Sequence, residues 1–445
     1  MFSLRPRPPA DLRGDSVGRL MVRLAVPAIT AQLINALYNM VDRMYIGNLP
    51  GDEGVRSLGA LGVCLPLIMI VSAFGTMIGA GGSALAAIKL GGGDREGAED
   101  ILGNCLPLLV GFSVVILAVC QIFCRDLLYL VGATDSIIEP AVAYFRTYLA
   151  GTLPVLLVLG LNAFINTQGL AVMSMLTVLL GAVTNIVLDP ILIFGKITLP
   201  GIGDILTFEP MGVAGAAAAT VIGQCIAALF AVVLNHRLNH EVKMRFRGAR
   251  PEIGTIRTIL AVGIPSSIMG SIGSVMTYGM NRILIGFSSV CVSVFGAYFK
   301  LQSFVFMPVF GLTNGMIPIV AFNYGAQRPD RMKKTVRLSV IYAVAVMIVG
   351  LIVFQVIPDK LLLLFNADKE MLTVGCRALR IISLSYVFAG YGIVVSAVLQ
   401  SLGHGFKSMC ISLIRQIAVL LPLAFIFSRT GDVGTVWFAF PAAEI

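Results

Sequence analysis

Runs of about twenty apolar residues recur along the whole chain, and no other feature restricts its fold so severely. Inside a bilayer the backbone finds no water, so a spanning segment must satisfy its own N–H and C=O groups as a helix, or pair them in a closed barrel. Segments of this length span as helices, because about 20 residues at 1.5 Å each cover the ~30 Å hydrocarbon core. The expected spans are 24–47, 58–88, 103–124, 140–164, 171–195, 211–235, 257–286, 291–322, 336–357, 373–402, 408–428 and 433–445. The fold class is therefore an all-α integral membrane protein of twelve transmembrane helices. The last run would reach only ~18 Å, so the expectation is a twelfth helix cut short.

The few charges are sorted. If the N-terminus is cytoplasmic, 19 Lys and Arg fall in cytoplasmic segments and seven in external loops, with six inside spans. That bias follows the positive-inside rule and sets the expected location as the plasma (inner) membrane, N-terminus inside. It also accounts for the net charge of +9 without a nucleic-acid face. Residues 1–15 are polar, with Arg5-Pro6-Arg7-Pro8-Pro9, and offer no apolar signal segment. The eight cysteines include no Cys-x-x-Cys and read as small packing residues. His236, His240 and His404 all fall in cytoplasmic loops, so a proton crossing this membrane must ride on carboxylates.

The chain is written twice. Six spans precede the basic stretch 237–256 and six follow it, giving lobes 1–236 and 257–445. Asp42-Arg43-Met44-Tyr45-Ile46-Gly47 ends the first span, and Asn281-Arg282-Ile283-Leu284-Ile285-Gly286 ends the seventh. Leu130-Val131-Gly132-Ala133 and Arg146 recur 234 residues later as Leu364-Phe365-Asn366-Ala367 and Arg380. Asn162-Ala163 and Gly169 recur at the same offset as Ser396-Ala397 and Gly403. Six spans per copy make the repeats parallel, the plan of a two-lobed secondary transporter with a V-shaped cleft between its lobes.

Asp42 and Asp189 are the acids expected inside spans. A carboxylate there costs several kcal/mol and so marks a functional site. Asp42 lies 19 residues beyond Arg23 and Asp189 lies 18 beyond Ala171. Both are thus roughly 27–29 Å along their helices, at similar depth. Gln32, Asn35, Tyr38 and Asn39 fall on or near the Asp42 stripe. They read as cleft lining or as interhelical hydrogen-bond glue. Asn185 shares a face with Asp189 at i, i+4, and Pro190 withholds a backbone donor beside them. Freed carbonyls, a carboxylate, an amide and the Thr220 hydroxyl together suit a small hard cation. Lys300 and Arg415 stand near mid-membrane in the C-terminal lobe, where they either snorkel or line the cleft.

These segments resemble the multidrug and toxic compound extrusion (MATE) family over essentially the whole chain. The resemblance rests on Val41 through Gly47, Asn162 through Gly169, Asn185-Ile186-Val187-Leu188-Asp189-Pro190, the small-residue run Gly212–Thr220 and the 6+6 repeat. It is strongest to the prokaryotic branch whose ion site lies in the N-terminal lobe. What it implies is a cation site at Asp42, Asn185, Asp189 and Thr220, helped by the Ala216 backbone, with Tyr38 and Asn162 as polar neighbours. The implied protein is no enzyme and needs no cofactor beyond a coupling ion, Na⁺ or H⁺. Its implied partners are an amphipathic, cationic small molecule and membrane lipid, and it is expected to be monomeric.

Competing readings are weaker. Gly201-Ile202-Gly203-Asp204 spells the GxGD of intramembrane proteases but lies outside any span. The glycines at 91–93 lack the spacing of a phosphate loop, and no ATPase module is present. A flippase for lipid-linked saccharides is the alternative, since Lys300 and Arg415 would suit an anionic head group. The acidic pair speaks for ion-driven antiport by alternating access, in which two nearby carboxylates in low dielectric cannot both stay ionised cheaply.

Overall fold

A computed structural model describes residues 10–199, 203–207, 209–237, 242, 252–365 and 367–445. Most of the basic linker (238–241, 243–251), and with it His240, lies outside the described residues, as do Gly201, Ile202 and Asn366. The helices, in order, begin with α1 (Val17–Gly47), α2 (Glu53–Gly91), α3 (Arg95–Ile122), α4 (Cys124–Leu130), α5 (Ile138–Leu149), α6 (Thr152–Thr167) and α7 (Ala171–Phe194). A short antiparallel hairpin follows, β1 (Lys196–Leu199) against β2 (Gly203–Thr207), and then α8 (Gly212–Arg237). The second half holds α9 (Ile253–Leu284), α10 (Ser289–Gly325), α11 (Pro329–Val356), α12 (Pro358–Leu363), α13 (Lys369–Ser383) and α14 (Tyr386–Ser401). It ends with α15 (Gly405–Leu413), a π-helical turn (Ile414–Val419), α16 (Leu420–Ser428), α17 (Val433–Val436) and α18 (Ala439–Glu444).

Among the described residues nine helices are long and apolar enough to cross a bilayer, and two bent pairs raise the number to eleven. Among the described residues the regular structure is helical except for the hairpin, which contains Gly203 and Asp204 of the protease-like motif. The spans expected as single helices at 140–164 and 373–402 are each broken. α5 and α6 meet at 54°, α13 and α14 at 48°. At each break a hydroxyl takes up a carbonyl three residues back: Thr152 Oγ1 donates to the Leu149 carbonyl (2.6 Å) and Ser385 Oγ to the Ile382 carbonyl (2.7 Å). Such a bond competes with the helical ladder and favours a bend there. The twelfth segment is likewise two short helices, α17 and α18, with Trp437 buried between them.

Helix starts follow the usual chemistry. Asp94 caps α3 by accepting from the Gly97 N–H (2.9 Å), and Asp368 caps α13 through the Met371 N–H (2.8 Å). Lys89, with help from the Gly97 N–H, holds the Asp94 carboxyl below its ordinary value. α7 stops at Gly195, whose φ of 67° suits a residue without a side chain.

The chain folds as two compact units. One comprises Thr30–Leu90 and Asp94–Gly263; the other comprises Ala10–Ile29, Gly91–Gly93 and Ile264–Ile445. The first unit is built around α8, against which α5, α6 and α7 all pack. In the second unit α10 packs on α11, α13 and α14. Its core is aromatic: Phe354 lies 5.3 Å from Tyr386 and 6.4 Å from Tyr298, and Phe440 lies 6.1 Å from Tyr298. Large apolar side chains such as Val114, Val115, Val349 and Val356 stay uncovered by protein, as a lipid-facing surface requires.

Candidate ion-binding site

A close contact between two helices of the first unit positions the site. α7 and α8 approach backbone to backbone, because a Cβ placed on Gly223 would stand 2.6 Å from the Gly181 carbonyl oxygen. Only glycine at 223 permits that approach. One turn beyond Gly181 comes Asn185, and one turn further Asp189, so both side chains look onto α8. The Asn185 Nδ2 donates to Asp189 Oδ1 (3.1 Å) and to Thr220 Oγ1 (3.2 Å). Ala216, one turn before Thr220, is fully buried and adds no side-chain bulk.

α1 supplies the second carboxylate. Asp42 is 6% exposed and Asp189 is fully buried. The two carboxylates lie within electrostatic reach of each other, and both act on the Tyr38 hydroxyl. Oxygens dominate what remains. Asp42 Oδ1, Asp189 Oδ2, Asn185 Oδ1 and Asn162 Oδ1 are all buried without a hydrogen-bond partner. Buried polar atoms are normally paired, at a cost of about 1–3 kcal/mol each when they are not. A group of acceptors that lacks donors is a place for a proton or a small cation, and oxygen ligands of this kind suit a hard ion. The residues present therefore fit a coupling ion.

The other expected residues distribute unevenly. Tyr38, Gln32 and Asn35 are half-buried along α1, and Asn162 is buried on α6. Asn39 is exposed, and its amide turns back to the Asn35 carbonyl (2.7 Å). Lys300 and Arg415 belong to the second unit. Lys300 is exposed, with its ammonium 5.7 Å from the centre of the Phe365 ring. Arg415 sits in the π-helical turn, 3.3 Å from Glu444 Oε2, with both side chains about one-seventh exposed.

Two residues escaped the sequence reading. Glu444 is a further acid, mostly covered; it is the sole acid of the final apolar run, which is too short to span as one helix. Tyr144, buried on α5, is within electrostatic reach of Asp42. Nothing in its local pattern distinguishes it from a core tyrosine.

Comparison with known proteins adds an independent line. The MatE family model matches residues 27–191 and 265–426. The multidrug export protein MepA of Staphylococcus haemolyticus is 24% identical over 424 residues, covering 95% of this chain and 90% of MepA. MepA of Staphylococcus saprophyticus is 25% identical over 426 residues with the same coverage. Among solved structures, an outward-facing multidrug resistance MATE transporter of the MOP superfamily aligns with a TM-score of 0.86 at 25% identity, covering 97% of this chain and 93% of the other. A MOP superfamily transporter from Pyrococcus furiosus, for which reversed polarity of the binding pocket suggests a different function, aligns at 0.87, also at 25% identity and with the same coverage.

Proposed function

The chain belongs to the MATE family of membrane transporters, and on that premise we propose that it is a secondary antiporter. It exports amphipathic, cationic small molecules in exchange for Na⁺ or H⁺. The observation that carries this reading is the set of buried, unpartnered oxygens on Asp42, Asp189, Asn185 and Asn162 in the first unit, with Asn185 bonded to both Asp189 and Thr220. Multidrug export by the MepA relatives supports the substrate class.

In this mechanism the two carboxylates receive the ion, and Asn185 holds Asp189 and the Thr220 hydroxyl in place for it. Neutralising one charge removes a mutual repulsion that low dielectric makes costly. α1 then shifts at its Asp42 end, which lowers affinity for the exported molecule. Inward movement of one charge supplies about 2.3 kcal/mol per 100 mV. That is enough to change an affinity by more than about tenfold. The protein works by alternating access as a monomer in the plasma membrane, N-terminus inside. The pairing of Arg415 with Glu444 tells against an anionic head group as substrate, because that guanidinium already has its counter-charge.

The test uses proteoliposomes with a preset Na⁺ or H⁺ gradient and a cationic dye. Dye-driven flux of one ion, lost in Asp42→Asn, is expected and names the ion. Absence of flux with either ion overturns the antiporter reading.

A further inference from the structure

One helix is shared by both units. Ala10–Ile29 belong to the second unit, and from Thr30 onward α1 belongs to the first, with the division two residues after Pro27. What grips the N-terminal part is specific. Arg331, in the first turn of α11, donates from Nη2 to the carbonyls of Asp15 (2.7 Å) and Leu12 (3.1 Å). Its Nε donates to Asn323 Oδ1 (3.1 Å), and Asn323 is itself fully buried, with its amide on the Ile319 carbonyl (2.8 Å). Arg328 Nη1 adds a bond to the Arg13 carbonyl (2.9 Å), and the Arg13 guanidinium lies 5.9 Å from the centre of the Phe322 ring.

The grip continues along the helix. Ser339 Oγ on α11 lies 3.7 Å from Met21 Sδ. On α10, Gly311 and Gly315 form a Gly-x-x-x-Gly groove. A Cβ on Gly311 would stand 2.6 Å from Ile29 Cα, and one on Gly315 would stand 2.7 Å from Ala25 Cα. Backbone contact of this kind seats a helix firmly. The carbonyls that Arg331 holds precede α1, so its role is not to cap the helix, whose N-terminus needs acceptors. Its planar fork spans three oxygens at once, which a lysine cannot do.

We propose that Arg331 is a positioning residue for ion coupling. It fixes the N-terminal end of α1 to the second unit, so that a shift of the Asp42 end acts on that unit instead of sliding the helix. Asp42 stands 13 residues past the division, about 20 Å along the same helix. A coupling between sites needs an element whose position both of them bias. The proposal rests on the antiporter reading above.

The experiment measures two quantities in full-length protein. One is the shift in melting temperature on adding Na⁺ or on acidification, as a readout of ion binding. The other is dye exported per ion in proteoliposomes. Arg331→Ala and Arg331→Lys are expected to keep the ion-induced shift while export per ion falls about fivefold or more. Asp42→Asn loses both. Unchanged coupling in Arg331→Ala overturns the proposal, and full coupling in Arg331→Lys overturns the role of the fork. Loss of the ion-induced shift together with export makes Arg331 an ordinary structural residue and also overturns it. If Arg331→Ala does not fold, Arg328→Ala must show the same uncoupling at smaller size; its absence overturns the proposal. Retained dye-driven ion flux in Asp42→Asn sinks the antiporter reading itself, a result distinct from any of these.

Discussion

Gln121 donates from Nε2 to the Arg146 carbonyl (3.1 Å), and 234 positions later Gln355 makes the same bond to the Arg380 carbonyl (2.7 Å). Each bond ties the end of a long helix to the last turn before a bend, α3 to α5 and α11 to α13. The left-handed glycines at the ends of the two bent pairs match too, Gly169 at φ 76° and Gly403 at φ 79°. The duplication is therefore one of structural devices as well as of residue types.

Replacing Gln355 by Leu is expected to destabilise the protein more than the same change at Gln121. Each loses a bond worth about 1 kcal/mol, but Gln355 also donates to Ser383 Oγ (3.1 Å). Thermal unfolding of the two variants in detergent, followed side by side, checks the order.

Thr220 offers a way to tell the ions apart. Thr220→Val removes an oxygen from the site and leaves Asn185 one acceptor short. If Na⁺ is the coupling ion, its apparent affinity falls about tenfold, the equivalent of one such interaction. If H⁺ is, the carboxylates still take the proton and the pH dependence of export is retained. Sodium titration of transport in wild type and Thr220→Val gives the answer.

Gly223→Ala forces a methyl against the Gly181 carbonyl. The backbones of α7 and α8 must part, at about 1–3 kcal/mol for overpacking, and the Asn185–Thr220 hydrogen bond lengthens with them. The expected result is a lower melting temperature accompanied by weaker ion binding. A drop in stability alone would show that this contact does not set the site.

Glu444→Gln strands the Arg415 guanidinium, whose Nε already lacks a partner. Breaking such a pair from one side costs up to about 3 kcal/mol, whereas removing both charges with apolar replacements is close to neutral. A double-mutant cycle on melting temperature with Glu444→Gln, Arg415→Met and both together should show the double variant recovering most of the loss.

Much of this was readable in advance, for definite reasons. Apolar runs of bilayer length announce helices because lipid leaves the backbone no alternative, and buried acids announce themselves by their cost. The i, i+4 step from Asn185 to Asp189 puts both on one face of any helix, and the two side chains do bond there. The breaks at Ala150–Gly151 and Leu384–Ser385 were not readable, because a hydroxyl that bonds a carbonyl three residues back looks the same in sequence as one that does not. Glu444 was hidden by length: thirteen residues cannot span, but α17 and α18 need only tuck Trp437 and Phe440 into the aromatic core to carry the acid inside. The partition of α1 after Ile29 depends on Gly311 and Gly315, whose partner helix lies almost 300 residues away in the chain.

The contact of Gly181 with Gly223 has a mechanical corollary. It welds α7 and α8 into one rigid jaw that carries Asn185, Asp189 and Thr220. α1 brings Asp42 within electrostatic reach of Asp189 and serves as the second jaw. On the antiporter reading proposed above, ion affinity is a bite: it depends on how far one helix closes on a fixed pair. Any ligand that props α1 open weakens the ion's hold without touching a single ion-binding oxygen.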